Sequence, residues 1–233
     1  DTAARAALLN EQFEELHFAG GVTLNSSVGG LNLEAVAVSG KMGGRIVWFP
    51  TMDSRSYQEF RKQNGTPDVD SSKCIYILDA RGNLIPEALA VLETAKRCGM
   101  LVGTGHVSAA EGLALARAGA KTGCQVILTH ADNPADVYTT DQQREAAALG
   151  AIVEHCYFTT YYKRTPIETI AAQIRAVGVE RVILSTDFGQ PQSPYSDEGL
   201  SQYADLLAAQ GFSDAELSMM FRDTPARLLG FER

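Results

Sequence analysis

LVGTGHV at 101–107, QVILTHA at 125–131, AIVEHCYF at 151–158 and RVILSTDFG at 181–189 repeat one pattern. An apolar run of β character ends in a side chain able to bind a metal or move a proton, and a helix signal follows. The runs deliver His106, His130, Glu154 with His155, and Asp187. QVIL and RVIL are almost continuously apolar, as expected of strands buried on both faces, and strands alternating with helices mean a parallel sheet. The downstream ends of parallel strands share one rim, so residues far apart in sequence converge there. The choice lies between an open doubly wound sheet and a (β/α)8 barrel. No GxGxxG follows the first strand, and LVGTGHV lacks both the third glycine and a suitably placed acid, which disfavours a dinucleotide site. Functional residues at four successive strand ends favour the barrel, because a ring of strands aims them all at one axial point.

Helix punctuation supports the reading outward from that stretch. Ser108 with Glu111, Thr140 with Gln143, Thr165 with Glu168 and Ser213 with Glu216 each have the spacing of a capping box. Pro166 at a first helical position, then Ile167, Ile170, Ile174 and Val177, then Gly178, mark a helix. Pro86 opens another over 86–98, and further helices are expected at 2–13, 32–42, 197–210 and 213–222, with a last turn at 224–230. HFAGGVTLN (17–25) and RIVWFPTMD (45–53) read as the first two strands. Residues 54–73 are polar, with a helical turn at 55–63, and are expected to form a lid or binding loop over the site. CIYILDARGNLI (74–85) reads as a strand, a turn at 80–83 and a short return strand. Residues 1–233 are therefore expected to form a single α/β domain, with 54–85 as an inserted loop and hairpin.

Composition bounds the partners. The 233 residues are 45% hydrophobic and 21% charged, ordinary for a globular domain, with a net charge of −8. With a pI near 5.0 and no Lys/Arg stripe, neither nucleic acid nor an anionic membrane is an expected partner. No apolar run approaches the 18 or so residues a membrane span needs. Cys74, Cys98, Cys124 and Cys156 form no CxxC pair, so they are expected to be buried thiols in a reducing, cytoplasmic setting. Cys156, beside the candidate site, has a weaker reading as a nucleophile. His17 falls at the upstream end of its strand, where a structural role is expected. Glu154 and His155 point to opposite faces of one strand, so at most one looks into the barrel. Asp187 could alternatively cap the segment after it. Tyr157, Phe158, Tyr161 and Tyr162 form either a pocket wall or packing beneath a loop.

A histidine ending one strand (His106), a histidine ending the next (His130), a skipped strand, an aspartate ending the last (Asp187) and the closing DTPARLLG resemble the metal-dependent hydrolases of the amidohydrolase superfamily. The resemblance covers residues 20–230 in strand order. It implies a barrel whose third to eighth strands are those seen here. It also implies a divalent metal, most simply zinc, bound by His106, His130 and Asp187. Asp187 would be the catalytic acid/base, activating water to cleave an amide, ester or related bond of a small molecule. Glu154, His155, Asn25 and Asp53 are the candidate substrate contacts, with Asp132 behind them. The superfamily's first strand carries an H-x-H pair that this chain lacks, and in place of its fourth-strand bridging residue WFPTMD offers only Asp53. The expectation is that roughly 60 residues, two βα units of about 30 each, lie upstream. The wall would then show a gap or be crossed by residues 1–16. A second reading is a non-catalytic small-molecule-binding or assembly barrel with a degenerate metal site, and a homo-oligomer suits either. A Schiff-base lyase is a third, disfavoured because no strand run carries an inward lysine.

Overall fold

Short β-branched runs build the sheet in a computed structural model that describes residues 1–65, 73–136 and 138–231. The strands are β1 (Gly21–Thr23), β2 (Ile46–Trp48), β3 (Leu101–Gly103), β4 (Val126–Leu128), β5 (Ile152–Cys156) and β6 (Val182–Ser185). They form one sheet in sequence order, every neighbouring pair parallel. This is six consecutive units of a (β/α)8-type wall. Among the described residues β1 and β6 are its two edges, so the ring is not closed.

Alternation along each strand sorts the side chains. Val22, Val47, Val102, Val126, Leu128, Val153, Val182 and Leu184 face outward into the main core shared with the helices. Leu101, Ile127 and Ile152, with Ile46 and Ile183, face inward and meet Leu228 and Leu229. The inner face is concave, since residues from β1 to just beyond β6 line a single cavity.

The covering helices are α1 (Ala3–Gln12), α2 (Leu33–Lys41), α3 (Arg55–Gln63), α4 (Pro86–Arg97), α5 (Ala109–Thr122), α6 (Thr140–Ala148), α7 (Tyr157–Tyr161), α8 (Ile167–Val177), α9 (Ser196–Ala209), α10 (Asp214–Ser218) and α11 (Thr224–Leu229). A π turn over Met219–Asp223 joins the last two. Among the described residues no helix is long and apolar enough to cross a membrane. Ser108 with Glu111 and Ser213 with Glu216 form the expected capping boxes.

Two other caps are corrected. The box before α6 is Thr139 with Gln142, one residue earlier than expected, because Gln143 is fully buried and its amide donates to the Ala131 carbonyl at 3.4 Å. Thr165 caps nothing: its hydroxyl donates to the Asp132 carbonyl, and α8 starts after Pro166, which takes the N-cap position. The first two strands are also shorter than their apolar runs. The expected strand at 74–85 reduces to isolated bridges, Ser54 with Ile75 and Leu78 with Leu84, around the turn at Asp79–Asn83.

The segment expected to cross the wall is fastened to the β1 edge. The Thr2 amide donates to the Gly21 carbonyl at 2.9 Å, and the Gly21 amide donates to the Thr2 hydroxyl at 3.0 Å. Beyond α1, the His17 ring stacks on Phe231 at 4.6 Å, on the rim opposite the other histidines. The four cysteines form no disulfide among the described residues, and Cys74 and Cys98 are half-buried rather than buried.

Replacing Thr139 by Ala should lower stability by about 1 kcal/mol in urea unfolding, whereas Thr140→Ala, one position inside α6, should change it by less than about 0.5 kcal/mol. Leu128→Ala, which empties a fully buried outward position, should cost about 2–5 kcal/mol in the same measurement.

Candidate active site

The strands and the turns just beyond them bring Thr23, Trp48, Thr51, His106, Thr129, His130, Glu154, Cys156, Ser185 and Asp187 around one cavity of about 400 Å³. Two glycines in the turn-forming run of β3 make this possible. At Gly103 an added Cβ would lie 2.4 Å from the Trp48 ring, and at Gly105, with φ +64°, it would lie 2.3 Å from the Phe49 carbonyl. The chain can therefore hug β2 and present His106, whose amide donates to the Pro50 carbonyl at 3.0 Å. His130 and Asp187 end their strands with φ of +34° and +55°. Such backbone costs about 1–3 kcal/mol in a non-glycine residue and is held only where surrounding contacts over-determine it.

The two histidine rings stand 4.8 Å apart. Nδ1 of His130 lies 2.5 Å from Oδ2 of Asp136, an ion-pair contact without the alignment of a good hydrogen bond. Nε2 of His130 and Nδ1 of His106 are buried and have no hydrogen-bond partner among the described residues. Burial, and then the neighbouring His130, push His106 down to about 3, so it is neutral. Burial works the same way on His130, but Asp136, followed by Asp187 and Glu154, outweighs it and lifts the group to about 9. Asp136 is itself raised to about 6 by burial, against the pull of His130. Burial also raises Glu154 and Asp187, each opposed chiefly by His130. Asp187 sits at the mouth, still reached by solvent.

The sequence-derived candidates separate into two groups. His106, His130, Glu154 and Asp187 share the cavity. His155 does not: one residue on from Glu154, it faces the outer layer fully buried, with Nδ1 3.1 Å from the Asp132 carboxylate. Asp132 also accepts a hydrogen bond from the Thr159 hydroxyl, so His155 and Asp132 fasten β5 to the loops around it. Asn25 and Asp53 are likewise spent on loops. Asn25 accepts from the Thr51 amide at 2.9 Å and donates to the Thr51 hydroxyl at 2.8 Å, while Asp53 accepts from the Ser26 amide at 2.7 Å. Cys156 lines the cavity beside Ser185, but burial and then Glu154 raise its thiol well above the ordinary range, which makes it a poor nucleophile.

The expected lid is in part a helix. Ser54 caps α3 by accepting from the Tyr57 amide, its own hydroxyl donates to the His106 carbonyl at 2.6 Å, and the Tyr57 ring lies 4.6 Å from the His106 ring. Residues 66–72 of that stretch lie outside the described residues. The aromatic cluster proves to be packing: Tyr157 stacks on Tyr203 at 5.1 Å, and Tyr161 meets Phe188 at 5.4 Å. Asp136, Trp48, Ser185 and Tyr57 were not legible as site residues. Parity could have found Trp48 and Ser185, which stand two positions beyond the inward Ile46 and Ile183.

Among the described residues no three His, Cys, Asp or Glu side chains stand together closely enough to hold a metal ion. The donor chemistry still suits one. A neutral imidazole with an unpartnered nitrogen, a second imidazole backed by a carboxylate, and the Asp187 carboxylate are the groups borderline divalent metals take.

Residues 95–231 match the family model described as Amidohydrolase, and residues 1–154 match one described as Family of unknown function (DUF6282). No curated protein sequence matches the chain. Among solved structures, an amidohydrolase from Pseudomonas aeruginosa aligns with a TM-score of 0.60 at 14% identity over 85% of this chain and 67% of its own. A metallo peptidase from Rhodobacter sphaeroides, liganded with a phosphinate mimic of the dipeptide L-Ala-D-Ala, aligns at 0.64 with 15% identity over 97% and 66%. An amidohydrolase from Burkholderia multivorans with bound Zn aligns at 0.58 with 18% identity over 97% and 78%. The chain thus spans about two thirds of the length of the first two, and at these identities the likeness is one of fold.

Asp136→Asn should lower the pKa of His130 from about 9, read by NMR titration of its ring, because burial then acts without the main opposing charge. A raised histidine stabilises the fold fully below pH 6.5 and loses that contribution as pH rises through 9, so the variant should also lose this part of the pH dependence of unfolding. His155→Ala should cost about 1–3 kcal/mol of stability, read by urea unfolding, because it removes the ring that partners the buried Asp132 carboxylate.

Proposed function

The chain belongs to the amidohydrolase family and to the family of unknown function that spans its first 154 residues, and from that premise we propose that it is a metal-dependent hydrolase of small molecules. One observation carries the reading: His106, His130, Glu154 and Asp187 converge from four successive strands on a single cavity, two of them with buried ring nitrogens that have no hydrogen-bond partner among the described residues. A cavity of about 400 Å³ suits a small molecule rather than a polymer.

In this reading His106, His130 and Asp187 are the residues that would hold a divalent metal, zinc being the simplest choice for imidazole and carboxylate donors. Such an ion, when bound, would supply an activated water with a pKa of about 7. The chain's own side chains carry the proton. Asp187, its affinity for protons raised by its walls, takes one from the attacking water and returns it to the leaving group of an amide or ester. Asp136 holds the His130 ring so that Nδ1 faces the carboxylate and Nε2 faces away from it. Glu154 stands deeper, beside Ser185, where it contacts substrate and adds negative charge opposite His130.

The shortfall in ligands supports a second reading, a small-molecule-binding barrel without hydrolytic activity. Zinc titration by calorimetry, with hydrolysis assayed on a panel of amides and esters, separates the two. The hydrolase reading expects stoichiometric zinc, lost in His106→Ala, and a fall of about 10²–10⁴ in kcat/KM for Asp187→Asn measured at saturating zinc. An undiminished rate in Asp187→Asn would sink it.

A further inference from the structure

Below the polar cavity lies a second one, of about 220 Å³, inside the same sheet. Its walls are the inward residues at the upstream ends of the strands, Ile46, Leu101, Ile127 and Ile183, and α11 adds Leu228 and Leu229 to the lining. The polar cavity and the apolar one have two lining residues in common, Trp48 and Glu154. These two therefore form the partition.

Trp48 holds its place because the neighbouring strands give it room. A Cβ added at Gly103 would stand 2.4 Å from its Cδ1, and one added at Gly21 would stand 3.0 Å from its outer ring. The indole is half-buried, lying across the interior between β1 and β3. A flat apolar surface thus faces the histidines from below, with an apolar chamber behind it.

Resting on the hydrolase reading, we propose that the site takes an amphipathic substrate. Its polar, reacting group lies among His106, His130 and Asp187, and its hydrocarbon part passes Trp48 into the lower chamber. Trp48 is the residue that sets how long that part can be. The occupant is small and apolar because the chamber is, and it arrives from the upper cavity because the two share walls.

Trp48 is the chain's single tryptophan, so its emission reports on the partition alone. The test titrates N-alkylacetamides, from N-ethyl to N-octyl, against that emission in the intact chain. Kd should fall about fourfold per added methylene until the chamber is full, since each buried methylene contributes a roughly constant transfer free energy. Ile183→Phe, which fills the chamber and keeps Trp48, should end the gradient at shorter chains. Trp48→Ala, followed by calorimetry, should extend it to longer ones. A Kd independent of chain length, or a gradient untouched by Ile183→Phe, would overturn the proposal. So would emission that shifts with protein concentration in the absence of ligand, which would mean that a second copy covers the chamber.

Turnover of the same amides is scored separately. Graded binding without turnover supports the two-chamber assignment while removing the hydrolase reading, and turnover without a length gradient does the reverse.

Discussion

Helices bury the outer face of every strand of this sheet, and strict alternation decides which side chain each face receives. The outer face takes Val22, Val47, Val102, Leu128, Val153 and Val182 and welds the sheet to its helices. What remains must face inward, and there the strands carry isoleucines and a leucine at their upstream ends and polar or ionisable groups at their downstream ends. The division of the interior into an apolar base and a reactive mouth is a consequence of that register. A slip of one residue in β5 would exchange Glu154 for His155 and destroy both the cavity and the outer network.

The charges in the mouth are balanced at close quarters. Glu154, Asp187 and the Asp136 carboxylate surround His130, and each is disfavoured as an anion by burial. His130 offsets them and its affinity for protons is raised, whereas burial lowers that of His106, 4.8 Å away. Two imidazoles on adjacent strands thereby acquire opposite character from their surroundings. The Asp132–His155 pair uses the same chemistry for a different end. On the outer face, closed in by Thr159 and Thr165, it braces the turn that carries His130.

Loops complete the mouth by binding one another. Asn25, Thr51 and Asp53 lock the turn after β1 to the turn after β2, and Ser54 passes the connection on to the His106 carbonyl. α3 then sets Tyr57 against the His106 ring. The polar stretch after β2 is thus joined to the site by backbone and ring contacts at its first turn. Residues with the chemistry of substrate contacts, Asn25 and Asp53 among them, are consumed in holding this frame.

By itself the sequence determined the parallel α/β class, the strand order and the placement of His106, His130 and Asp187 on one rim. Apolar runs, their terminal polar residues and the helix caps are local signals read along the chain. It also determined that Glu154 and His155 face opposite ways, because that follows from the pleat alone. Which of the two faces inward was a matter of tertiary packing, decided by the register of β5 between β4 and β6. The TTDQQ run permits two capping boxes, and burial of Gln143 chose between them. Asp136, Ser185 and Trp48 became site residues only once separate strands and loops met. Their roles depend on distances between elements, and those are set by the packing of the whole domain rather than by any spacing in the chain.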